Sequence, residues 1–138
     1  MKSFDYFIQS GDVRRVAKDP SLSASLIKTA QQRLAFAAKH EITDENAKFI
    51  LECAYEALGE CMDARLALDG YKSYSHEACI SYLQKFSQFS AYEINKLDRL
   101  RAARIGSKYY GRNVQPELAK DALKFAVDVM PKIRKLVK

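Results

Sequence analysis

Few of the residues from which reactive sites are built occur in this chain. Its two histidines, His40 and His76, lie far apart in sequence and neither stands in a helical His-Glu spacing, so no donor set for a metal is offered. Three cysteines, Cys53, Cys61 and Cys79, are an odd number with no CxxC spacing. That pattern excludes a closed disulfide set and a zinc knuckle, and it predicts buried free thiols. Five glycines form neither a phosphate-cradling loop nor a Gly-x-Ser-x-Gly elbow. No uncharged stretch approaches the roughly 20 apolar residues of a membrane crossing. The start, Met1 to Asp5, lacks the apolar core of a secretory signal, so a cytoplasmic location is expected. Internal repeats, low-complexity tracts and sustained β-branched alternation are all missing.

What the chain does have is helical periodicity. With 138 residues, 48% of them hydrophobic, it has enough apolar surface for one core, and a single domain over residues 1–138 is expected. Apolar residues recur at spacings of three and four, which predicts an all-α fold. A first helix is expected from Phe4 to about Ala17, loosened near Gly11 and broken at Asp19-Pro20. Ser21 or Ser23 caps a second, ending near Lys39. Thr43, followed by Asp44 and Glu45, opens a long central helix to Leu68 that stops at Asp69-Gly70. Its stripe includes Ile50, Leu51, Ala54, Leu58 and Cys61, while Glu52, Glu56, Glu60 and Asp63 lie mostly off it. After a polar loop over Tyr71 to Tyr74, Ser75 caps a helix from His76 to about Phe86. A fifth helix runs from Ala91 to about Tyr109, and Pro116 opens the last, where Pro131 predicts a kink or a shift of register. The sum is an antiparallel up-and-down bundle of four to five helices.

Charge is unevenly distributed. Residues 1–98 carry 12 Lys and Arg against 14 Asp and Glu, whereas residues 99–138 carry 11 against 3. A concentrated basic face draws phosphates or acidic partners, although it can equally be a solvated helix surface. Within it, helical spacing puts Asp98, Arg101, Ile105 and Lys108 on one face, with Arg104 three residues beyond Arg101 and the pair Tyr109-Tyr110 at the end. Read from spacing alone, this is a solvated face with an Asp98–Arg101 ion pair of small value.

The layout resembles the HEPN superfamily of helical bundles. The likeness lies in the long acidic helix through Gly70, the Ser75-His76 loop, the run Leu97-Asp98-Arg99-Leu100-Arg101-Ala102-Ala103-Arg104, a tyrosine-glycine turn and a terminal amphipathic helix. In family ribonucleases an arginine, often followed by asparagine, precedes a histidine by four to six residues. The resemblance places Arg104 at the arginine, Ile105 where asparagine would be, Tyr109 where histidine would be, and Tyr110-Gly111 on the tail. Metal-free RNA cleavage needs a group that moves protons near neutral pH, and a phenol does this poorly. The resemblance therefore implies a degenerate ribonuclease motif with no cofactor. Its surviving cations, Arg104 with Arg101 and Lys108, could still hold a phosphate of a nucleotide or RNA. It also implies a homodimer and, as partner, a minimal nucleotidyltransferase of toxin–antitoxin type, with Tyr110 and then Tyr109 as candidates for nucleotidyl modification.

Two other readings stay open at this stage. One is an active ribonuclease in which Tyr109 or His76 replaces the missing base. The other is a structural dimerisation module whose basic end is only a solvated surface. His76 itself fits a capping-region residue and His40 a helix-end surface residue. Tyr71, Tyr74, Tyr109 and Tyr110 could stack on bases, while most aromatics of so small a bundle pack in its core or rim.

Overall fold

A computed structural model describes residues 1–137. Six helices and one two-stranded ribbon follow in the order α1 (Phe4–Ser10), β1 (Val13–Arg15), α2 (Pro20–Ala38), α3 (Ala47–Asp69), β2 (Tyr71–Ser73), α4 (His76–Leu83), α5 (Ala91–Tyr110) and α6 (Pro116–Lys135). The all-α expectation holds, and the six helices match the six segments read from periodicity. No helix among the described residues is long and apolar enough to cross a membrane.

The centre of the bundle is α3, which packs against α2, α4, α5, α6 and β2. Leu51, Tyr55, Leu58, Met62 and Leu66 from it are fully buried, and each such side chain contributes roughly 1.5–3 kcal/mol by leaving water. Arg33 on α2 pairs with Glu60 on α3 at 2.8 Å, which fixes the α2–α3 hairpin in register. All three thiols are free, Cys61 and Cys79 buried and Cys53 half-buried.

Several boundaries differ from the sequence expectation, each for a local reason. The first helix ends at Ser10 rather than near Ala17. Beyond it Val13 buries its β-branched side chain and Val13–Arg15 pairs antiparallel with Tyr71–Ser73, the stretch expected to be loop. Neither segment carries a strand signal alone, because a pairing 58 residues away in sequence is invisible to local pattern. Asp19, not Ser21 or Ser23, caps α2, its carboxylate accepting from the Leu22 N–H at 2.9 Å. The Thr43 hydroxyl accepts from the Asn46 N–H while the Asn46 side chain accepts from the Thr43 N–H. That reciprocal pair closes a turn, and α3 begins only at Ala47.

The predicted stop of α3 is in place. Gly70 has φ of 86°, and a Cβ there would stand 2.9 Å from the Val16 carbonyl oxygen, too close for any side chain without a shift of the backbone. Ser75 caps α4 as expected, but the helix ends at Leu83, short of Phe86. α5 starts with a full capping box between Ser90 and Glu93. α6 continues through Pro131 to Lys135 without the shift of register that the proline suggested. Pro131 and Val127 are both on the exposed side, so the carbonyl that loses its helical donor can turn to water.

Candidate functional site

α5 carries the basic run and lies against α3, so its polar residues meet the acids that α3 leaves off its apolar stripe. Arg101 pairs with Asp98 one turn earlier, Nε to Oδ1 at 2.8 Å. Arg104 turns inward and is buried, 8% exposed. Its Nη2 lies 2.6 Å from Glu56 Oε1 and 3.9 Å from Glu52 Oε1. Lys108 reaches the same Glu52 at 3.8 Å. Arg104 and Lys108 thus share the Glu52–Glu56 edge of α3, while Arg101 and Asp98 pair with each other on α5.

Behind this row sits Tyr55, fully buried, with the Arg104 guanidinium 5.9 Å from its ring centroid. The His76 ring meets Tyr55 from α4 at 5.6 Å, edge to face. The Tyr55 hydroxyl and the Arg104 Nε are both buried without a hydrogen-bond partner among the described residues. Burial pushes the Tyr55 phenol well above its ordinary value, an effect that the nearby Arg101 and Arg104 charges only partly offset. Tyr55 is therefore a neutral donor.

Tyr109 and Tyr110 do not join Arg104. At about 100° per residue they leave the helix well round from the Arg104 face, and they are 66% and 71% exposed. Each ring has its own cation, Lys108 at 5.7 Å from Tyr109 and Arg112 at 5.7 Å from Tyr110. The helix end that presents them is closed by the Arg112 N–H donating to the Gly106 carbonyl at 3.0 Å. Arg112 then folds back over α5, and a Cβ at position 106 would meet its Cδ at 3.0 Å, so Gly106 makes room for this cation. Beside it opens a cleft of about 380 Å³ that includes Asp44, Glu45, Lys48, Ser107 and Arg112. Its charges are mixed, so it does not by itself draw an anion.

Sequence reasoning missed Tyr55, and it gave Glu52 and Glu56 no role. The available signal was their i, i+4 spacing off the apolar stripe of α3, which marks a polar edge seeking cations. No group of three or more potential ligands that could hold a metal occurs among the described residues. Compared with known proteins, the sequence matches no family model and no curated protein.

Proposed function

We propose that this chain is a HEPN-like binding or regulatory module that engages a nucleotide or RNA through the C-terminal end of α5, without the standard ribonuclease chemistry. The observation that carries this reading is the solvent-facing pair Tyr109 and Tyr110, each with a cation against its ring. Exposed aromatic faces beside cations suit bases and phosphates together. Arg104, by contrast, is engaged by Glu56 and acts mainly as an anchor between α5 and α3. Lys108 and Arg112, the cations against the two exposed rings, are better placed to meet a phosphate.

The test is a titration with fluorescent single-stranded RNA and with a nucleoside triphosphate at about 50 and 200 mM salt. Binding that weakens steeply with salt, and at least about thirtyfold on Lys108→Ala with Tyr109→Ala and Tyr110→Ala, supports the reading. Absent binding, or binding indifferent to these substitutions, ends it. The resemblance adds a homodimer and a minimal nucleotidyltransferase companion, which a scattering mass at micromolar concentration and co-purification address.

A second reading has one observation in its favour: His76 and Arg104 both approach the Tyr55 ring, at 5.6 and 5.9 Å from its centroid. An imidazole moves protons near neutral pH better than the Tyr109 phenol does, which suits metal-independent RNA cleavage. RNA cleavage by the purified protein, lost on His76→Ala and on Arg104→Ala alike, would favour it over the binding module.

A further inference from the structure

A second basic and aromatic surface lies on the β1–β2 ribbon, built from elements other than α5. Arg14 and Lys72 are register partners, so two cations stand directly opposite one another on the same face of an antiparallel pair. Such an arrangement is repulsive unless an anion lies between them. Neither has an acid within ion-pair distance among the described residues. The carboxylate at the edge of this face, Asp12, already accepts from the Ser10 hydroxyl at 3.0 Å.

Both cations also lie against one ring. Arg14 is 5.6 Å and Lys72 6.0 Å from the centroid of Tyr74, which is 63% exposed. The Tyr74 N–H donates to the Asp12 carbonyl at 2.7 Å, so the backbone below the ring is tied to the ribbon. Tyr74 also borders a cleft of about 170 Å³ with Asp63, Ser73, Ser75, His76 and Cys79. Asp63, whose carboxyl burial pushes up, accepts from the Cys79 thiol there. An acid in the cleft repels a phosphate but accepts a hydrogen bond from a neutral ring, whereas the cations outside favour the phosphate.

We propose that the β1–β2 ribbon is a binding site for single-stranded nucleic acid, in which a base stacks on Tyr74 beside the cleft and the flanking phosphates lie on Arg14 and Lys72. The site goes beyond the α5 reading and shares no residue with it.

The chain contains no tryptophan, so Tyr74→Trp makes a sole fluorescent reporter at an exposed position. Titration of that variant with an eight-nucleotide oligouridylate should quench its emission saturably. Removing Arg14 and Lys72 by alanine substitution should weaken binding about tenfold and lower the salt slope by about 1.4, two phosphates' worth. Tyr92→Trp, at the exposed start of α5, should stay silent. Silence at Tyr74→Trp while anisotropy of a labelled strand reports binding overturns the ribbon site and leaves the α5 reading standing. Quenching at Tyr74→Trp that persists in the combined Lys108→Ala, Tyr109→Ala and Tyr110→Ala background supports the ribbon site and removes the need for the α5 one. No strand binding by either measure overturns both.

Discussion

Replacing Glu56 tests whether Arg104 is a structural anchor or a free grip. Arg104 is 8% exposed and its closest acid is Glu56 at 2.6 Å. Removing one member of a buried pair leaves the other charge uncompensated and typically costs about 3–5 kcal/mol. Here the loss should be smaller, because the Glu56 side chain keeps 29% of its exposure and Glu52 waits 3.9 Å from the same nitrogen. Glu56→Ala is therefore expected to cost about 2 kcal/mol, or a drop in Tm of roughly 6–10 °C for a chain of this size. Urea unfolding, with the slope checked against wild type, gives the number directly. The double variant Glu56→Met with Arg104→Met should recover most of it, since an apolar pair of similar volume is often as stable as a buried ion pair. A Glu56→Ala protein within about 0.5 kcal/mol of wild type would refute the reasoning. It would mean that Arg104 is not held by α3, and the weight placed on Lys108 and the tyrosines would shift back to it.

Three further outcomes follow from the packing. Gly70→Ala should cost more than about 2 kcal/mol in a urea melt, because a left-handed backbone penalty adds to the contact with the Val16 carbonyl. A thiol reagent near pH 8 should label one cysteine in the native protein and three in denaturant: burial pushes Cys61 up to about 12 and raises Cys79 further, while Cys53 stays half-exposed. Glu93 should be a source of acid sensitivity. Burial pushes its carboxyl up, but hydrogen bonds from Lys132 and the Ser90 N–H outweigh that and hold it below the ordinary range. A depressed native pKa gives stability that is present above the unfolded value and lost as pH falls through the native one, so Glu93→Gln should flatten the acid limb of a plot of urea midpoint against pH.

Helices that carry their own start and stop residues were readable along the chain. Ser75 caps α4, Asp69-Gly70 stops α3, and the apolar spacing of α3 marks it as the centre, because each of these depends on residues within a turn or two. The Asp98–Arg101 ion pair was legible for the same reason. Only the tertiary structure decided what these residues face. Whether Arg104 meets solvent or Glu56 depends on how α5 lies against α3, and whether Val13–Arg15 is helix or strand depends on Tyr71–Ser73. Tyr55 gave no sign of its place between Arg104 and His76, since a buried aromatic on an apolar stripe looks the same whatever polar groups lie beyond it. Periodicity shows which side of an element is buried; which element covers it follows from packing three-dimensional surfaces against one another, information that no local window of the chain contains.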